Sequence, residues 1–278
     1  MAEQEVSQMS ATRRKSAVRS MAASADRHVL YEKSVQDPEN DVSVLGRLFH
    51  RFRGRQAQSM REDFCGTATL SSHWARSKAD RWAIGIDLDE PTLAWAREHN
   101  LHGAARARVR LLNENVLTGH GPKTDLGCAL NFSYSVFKTR AQLKRYFEVA
   151  RRMLVSDGLF VLDAWGGWST TEPGRDTKKC DGFIYEWEQE TFDPLTNEIM
   201  CHIHFELPDG SRIDKAFTYD WRLWSVQELR ELLEEAGFSA VHALWERMDD
   251  EGDGTGAYYE PKHCEQMEVW WTYVVAER

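Results

Sequence analysis

No stretch of this 278-residue chain approaches the ~18 consecutive apolar residues that a membrane-spanning helix needs. Its opening, MAEQE, has neither the basic start and apolar centre of a secretory signal nor the Arg-rich, acid-poor character of a transit peptide. The expected compartment is therefore the cytosol. Cysteine is sparse and badly spaced for cross-linking: Cys65, Cys128, Cys180, Cys201 and Cys264 are odd in number and never fall at CxxC spacing. Neither a disulfide framework nor a zinc site is encoded, and no metal is assigned. Glycine is missing where nucleotide-binding folds use it. Neither GxGxxG nor GxxxxGK[ST] occurs, which removes support for dinucleotide hydride chemistry and for phosphate cradling. Basic charge is also short, with 35 Lys and Arg against 44 Asp and Glu and a formal net charge of −9. Such a molecule repels a phosphate backbone, so nucleic acid is a disfavoured partner. The basic run from Arg13 to Arg19 is the exception, and reads as a solvated tail.

What is present is core material: hydrophobic residues make up 42% of the chain and there are eleven Trp. Residues 1–26 are polar and Ala/Ser-rich and read as a flexible arm, with a single domain expected over 27–278. Two short helical patterns follow the arm, the second carrying Val42, Leu45, Leu48, Phe49 and Phe52 at helical spacing. From AQSMREDF onward the pattern alternates. Strand candidates (AQSMREDF, WAIGIDL, RVRLLNENV, LGCALNFSY, GLFVLDAW) are interleaved with helices such as EPTLAWAREHNL and RAQLKRYFEVARRML. That grammar predicts βαβ units in a mainly parallel α/β sheet with helices on both faces and ligand loops at the carboxyl ends of the strands. After Trp168 period-2 runs broken by Asp193-Pro194 and Pro208-Asp209-Gly210 predict three antiparallel strands inserted over residues 175–222 as a lid. A helix capped by Ser225 and Glu228 and ending at Gly237 follows. Two last strands, AVHALWE and VWWTYVVAE, are joined by a glycine-rich acidic loop from Asp249 to Glu260.

The stretch REDFCGTATL stands at the first strand-to-helix turn, and a second apolar strand ends some 20 residues later in Asp87. A carboxylate at that place can accept both hydroxyls of a ribose, so a nucleoside cofactor is expected. This arrangement resembles the class I S-adenosylmethionine-dependent methyltransferases, whose first motif reads acid-x-Gly-x-Gly-x-Gly. Glu62 falls at the acid, and Phe64, Gly66 and Ala68 fall at the three glycines. A sulfonium cofactor without a pyrophosphate needs one close backbone approach, which Gly66 supplies, while Phe64 can wall the pocket. The resemblance spans residues 57–168 and resumes at 222–276, and it implies a Rossmann-like seven-stranded sheet ending in an antiparallel hairpin. It also implies S-adenosyl-L-methionine as cofactor. Within it, Asp87 takes the ribose hydroxyls and Leu88 the adenine face. Asn115, with Val116 beside it in NENV, meets the adenine amino group, and Asn131 meets methionyl and substrate atoms. Arg61 either holds the cofactor carboxylate or pairs with Glu62, and Tyr31 in the N-terminal region is a candidate to close over the cofactor. REDFCGTA, ALNFSYSVFK and YDWRLWS further resemble an uncharacterised group of small methyltransferases. Cys65 reads as a small filler rather than a nucleophile.

Methyl transfer from a sulfonium is an in-line displacement, so the acceptor must be aligned and stripped of water. Asn131, Tyr134, His202 and His204 are the candidate catalytic residues; the two histidines share one face of a strand and either line the pocket together or face water together. Tyr185, Trp187, Tyr219, Trp221 and Trp224 bring aromatic rings to the inserted strands, suited to an apolar acceptor or, through cation–π attraction, an ammonium. A small-molecule acceptor, at nitrogen or sulfur, is expected. Two alternatives stand beside it. One is a nucleic-acid or protein methyltransferase using Asn131-Phe132-Ser133-Tyr134, which has the outline of a [DN]PP[YF] motif without its prolines. The other is a non-catalytic cofactor-binding or interaction protein. Aromatic edge strands also leave a homodimer open.

Overall fold

The structure is a computed structural model and describes residues 20–252 and 254–278. The basic run Arg13–Arg19 and most of the expected arm lie outside the described residues. Residues 20–26 are held in place: the Met21 and Ala22 amides donate to Asp209 Oδ2 and Ser211 Oγ at 2.9 and 3.0 Å. Asp26 then caps the first helix through the His28 amide and accepts from the Trp95 indole.

Helices α1 (Arg27–Val35) and α2 (Pro38–Arg53) lead into the alternating core. The core runs β1 (Ser59–Asp63), α3 (Thr69–Ser77), β2 (Trp82–Asp87), α4 (Glu90–His99), α5 (Ala104–Arg108), β3 (Val109–Asn113), β4 (Thr124–Ala129), α6 (Arg140–Arg152) and β5 (Leu154–Gly166). A separate antiparallel sheet follows, of β6 (Gly174–Cys180), β7 (Phe183–Asp193), β8 (Glu198–Glu206) and β9 (Arg212–Arg222). The chain returns through α7 (Val226–Glu235), β10 (Ala240–Met248), β11 (Gly254–Tyr259) and β12 (Trp270–Glu277). The main sheet has the order β11-β10-β12-β5-β4-β1-β2-β3, parallel from β5 to β3 and antiparallel at β12 and β10.

Strand β5 explains the layering. Phe160, Leu162 and Ala164 point into a core shared with α6 and α7, while Leu159 and Val161 point into one shared with α2 and α3. Both faces are thus covered, which is why β2 and the middle of β5 are apolar runs, whereas β1 (SMRED) buries polar side chains that find partners. On α6, Leu143, Tyr146, Phe147 and Ala150 recur at the 3- and 4-residue spacing that places them on one buried face. Removing the Phe147 ring would cost about 3–5 kcal/mol. The Ser225–Glu228 capping box of α7 forms in both directions.

Two edges differ from expectation. The main sheet has eight strands rather than seven, because residues 254–259 of the acidic loop pair with β10 as β11. The second sheet has four strands rather than three, because Gly174–Cys180 pairs along β7. Both extra strands lie at sheet edges and are largely exposed, so backbone pairing forms them without an apolar alternation. In the main sheet β1 connects outward to β2 on one side while β4 and β5 lie on the other. The strand order therefore reverses between β1 and β4, and a crevice opens at their carboxyl ends.

Candidate functional site

The loop leaving β1 is an alternating chain of left-handed residues: φ is +59° at Phe64, +50° at Gly66 and +55° at Ala68. The three positions that the resemblance aligns with glycine thus have the backbone that glycine favours, and two of them accept the strain of a β-carbon. Hydrogen bonds fix the turn. The Cys65 amide donates to Ile86 O at 2.9 Å and the Ala68 amide to Cys65 O at 2.7 Å. The Gly66 amide donates to Asp87 Oδ2 at 2.8 Å, and the other Asp87 oxygen accepts from the Asp89 amide at 2.9 Å. Asp87 thereby ties the ends of β1 and β2 together and keeps lone pairs for a ligand. A β-carbon added at Gly66 would meet nothing within 4 Å, so this position faces open space. At Gly85, in contrast, it would come within 2.8 Å of Cys65 Sγ. Cys65 is packed filler: burial pushes its thiol well up, and the neighbouring carboxylates push it further.

A second strained turn follows β4. Asn131 and Phe132 have φ of +54° and +55°, and their amides donate to the two oxygens of Asp163 at 2.7 and 2.9 Å. Asp163 lies on β5, and burial pushes its carboxyl up to about 7 against the pull of those amides. This positioning residue escaped the sequence reading, although an acid inside the apolar run GLFVLDAW was its signal. A proline at position 132 would demand φ near −65°, so the turn does not have the backbone of a [DN]PP[YF] loop.

Between the two turns, α1 and β9 enclose a cleft of about 320 Å³. Tyr31, Glu62, Phe64, Gly66, Asp87, Asn131, Tyr219 and Trp221 all line it, so eight of the residues singled out from sequence converge. Arg27, His28, Gln36, Asp41 and Phe217 join them. The N-terminal members carried no motif; α1 brings them in by bridging both sheets. Glu32 accepts from Thr69 Oγ1 and Asn100 Nδ2 on the main domain, while the Tyr31 ring lies 4.9 Å from Phe217 on β9. Five carboxyl groups line the cleft, Asp41, Glu62, Asp63, Asp87 and Asp89, against Arg27 and His28. Burial pushes Asp41 up to about 6 and Glu62 up to about 8, the latter while it accepts from the Ser71 amide and hydroxyl. A cation entering the cleft would relieve this crowding.

Other candidates lie elsewhere. Arg61 points to the opposite side of β1 from Glu62, as strand alternation requires. It is 2% exposed, pairs with Asp63 at 2.8 Å and donates to His120 O, so it is tied down outside the cleft and does not pair with Glu62. Tyr134 is buried beneath the second turn, its hydroxyl donating to Asp163 O at 2.8 Å. Leu88 is exposed, Asn115 caps its own turn through the Leu117 amide, and Val116 packs into the core; none of the three lines the cleft. His202 and His204 share a face, the one turned away from Ile203 and the cleft side of β8. They contact Glu190 and Thr218, and Glu188 and Asp214, respectively. Trp224 lies in the core, its indole donating to Phe137 O.

No protein-family model and no curated protein matches the chain. Among solved structures it is similar to an S-adenosylmethionine-dependent methyltransferase from Clostridium acetobutylicum, at a TM-score of 0.67 and 15% identity, over 90% of this chain and 96% of that one. It is also similar to CalS10 of Micromonospora echinaspora, an amino pentose methyltransferase with S-adenosylmethionine bound. The TM-score is 0.64 and the identity 17%, over 90% of this chain and 95% of that one. The sugar N-methyltransferase KedS8 from Streptoalloteichus gives a TM-score of 0.62 at 18% identity, over 100% and 99% of the two chains. The chain has the class I S-adenosylmethionine-dependent methyltransferase fold. Among the described residues no helix is long and apolar enough to cross a membrane.

Proposed function

We propose that this chain transfers a methyl group from S-adenosylmethionine to a small-molecule acceptor, at nitrogen or sulfur, by in-line displacement. The observation that carries this reading is the left-handed loop Phe64–Ala68, tied by the Gly66 amide to Asp87 at the switch point of the sheet. The residues fit the cofactor on two independent grounds. Gly66 opens its α-carbon to the cleft, allowing a ligand close to the backbone, and the cleft is rich in carboxyl groups and poor in cations. That charge balance suits a sulfonium with an amino group and opposes a phosphate-bearing cofactor.

S-adenosylmethionine supplies a methyl group already activated on sulfur. The protein's work is to hold and align. Asp87 would take the ribose hydroxyls, and Glu62 and Asp41 would face the positive end of the cofactor. Tyr31, its ring against Phe217, joins α1 to β9 across the cleft and would exclude water from the reacting atoms. In this reading β6–β9 serves as a lid inserted into the methyltransferase domain, and Asn131, on the turn that Asp163 holds, orients the acceptor. His202, His204, Tyr134 and Arg61 have no part in the chemistry. The acidic balance and the backbone at Phe132 both weigh against a nucleic-acid acceptor.

The test is turnover. The full chain would be incubated with S-adenosylmethionine and panels of small amines and thiols, following S-adenosylhomocysteine by mass spectrometry. Acceptor-dependent product is expected. Tight cofactor binding with no product from either panel would favour the non-catalytic cofactor-binding alternative.

A further inference from the structure

We infer that the methyl acceptor is a small amine, seated in the aromatic cavity beside the cofactor cleft so that its nitrogen becomes cationic within a cage of rings closed by Asp176. This inference rests on the methyltransferase reading and selects nitrogen over sulfur. A second cavity, of about 250 Å³, lies between the turn after β4 and the inner face of the β6–β9 sheet. Tyr31, Asn131, Tyr219 and Trp221 line both this cavity and the cofactor cleft, so the two spaces share a wall. Rings dominate it. Trp187 lies 5.7 Å from Tyr219 and 6.2 Å from Trp221, and Tyr219 lies 4.3 Å from Trp221. Tyr185 and Trp165 extend the same wall.

The carboxyl group in this lining is Asp176 on β6, exposed and with no hydrogen-bond or ion-pair partner among the described residues. The adjacent Arg175 is committed elsewhere, to Glu186 and Glu188, and Lys178 donates to Ser34 O. Aromatic faces with one free carboxylate complement a positive charge.

Charge flow selects the acceptor. An amine lone pair forms the N–C bond as the C–S bond breaks and its electron pair returns to sulfur. Positive charge thus moves from sulfur to nitrogen, and the rings and Asp176 stabilise it where it arrives. A primary or secondary amine then gives its proton to water at the exposed Asp176 side. An ammonium and a thiol must each lose a proton to water before attack, the first leaving a neutral amine and the second a thiolate. The acidic cleft next door repels a thiolate, and the cavity's phenols are no bases for it: burial pushes Tyr31 up to about 12 and raises Tyr185 and Tyr219 as well.

The experiment uses the full chain saturated with S-adenosylhomocysteine, titrated with phenyltrimethylammonium and with its neutral isostere, tert-butylbenzene. The ammonium should bind roughly tenfold more tightly. Asp176→Asn, at an exposed position, should cut that preference several-fold while leaving S-adenosylhomocysteine affinity unchanged, and Trp187→Leu should do the same. Equal or tighter binding of the neutral isostere, or no binding of either probe to the loaded protein, would overturn the amine assignment alone. Failure of the protein to bind S-adenosylhomocysteine would overturn the methyltransferase reading and this inference with it.

Discussion

Adding one methyl group to the loop after β1, as Gly66→Ala, separates backbone strain from ligand contact. Gly66 has φ of +50°, where a residue with a β-carbon pays roughly 1–2 kcal/mol. Phe64 and Ala68 already pay it two residues to either side, so the backbone tolerates the substitution. The new β-carbon meets no protein atom within 4 Å, so no clash adds to the strain. The ligand-free variant should lose about 1 kcal/mol of stability, lowering Tm by about 2–4 °C. In the complex the methyl group stands where the cofactor must approach. Crowding of that kind costs about 1–3 kcal/mol, or roughly five- to 150-fold in Kd for S-adenosylmethionine. The control is Ala68→Gly. Ala68 is fully buried against Leu93 and Ala96 at φ of +55°. Removing its β-carbon relieves strain but forfeits about 0.8 kcal/mol of methyl burial. Its stability should stay within about 1 kcal/mol of the parent, and its affinity should not change. Differential scanning fluorimetry and calorimetry read the two quantities. Wild-type affinity in Gly66→Ala would refute the placement of the cofactor against Gly66.

Arg61→Ala should cost about 3–5 kcal/mol in urea unfolding by leaving Asp63 buried without its cation. A variant as stable as wild type that no longer binds cofactor would return Arg61 to the binding machinery. His202→Ala and His204→Ala should each lower stability by about 1–3 kcal/mol through their lost carboxylate partners and leave kcat unaltered. A fall in kcat at unchanged stability would contradict that. Glu62 titrates near 8 in the folded protein, above its ordinary 4.5, so between these values the folded state keeps a proton that the unfolded chain has lost. Stability therefore falls as pH rises through that window, by at most about 1.4 kcal/mol per pH unit from this group. Glu62→Gln should flatten the slope of urea midpoints between pH 7 and 8, above the range that Asp163 adds. An unchanged slope would place the effect elsewhere.

The sequence made the parallel core readable because burial on both faces turns β2 and the middle of β5 into apolar runs, and because Ser225, Glu228 and Gly237 punctuate α7 by local chemistry. The edge strands β6 and β11 stayed hidden since residues such as GRDTKKC pair by backbone alone. Asp87 and Asn131 were legible from their places at strand ends. The turn of Arg61, His202 and His204 away from the cleft was open in the sequence for another reason. Alternation says which residues share a face, but only the packed neighbours say which face meets the cleft. Asp41, Arg27 and Gln36 were silent for a related reason: they reach the cleft through the docking of α1 and α2, a long-range contact with no local signature.

The most direct test is calorimetric titration of the full chain with S-adenosylmethionine and S-adenosylhomocysteine, beside Asp87→Ala. Micromolar binding of both ligands, lost in the variant while its fold persists by circular dichroism, is the expected result. No heat with either ligand, or unaltered affinity in Asp87→Ala, would contradict a methyl-donor site at the end of β2.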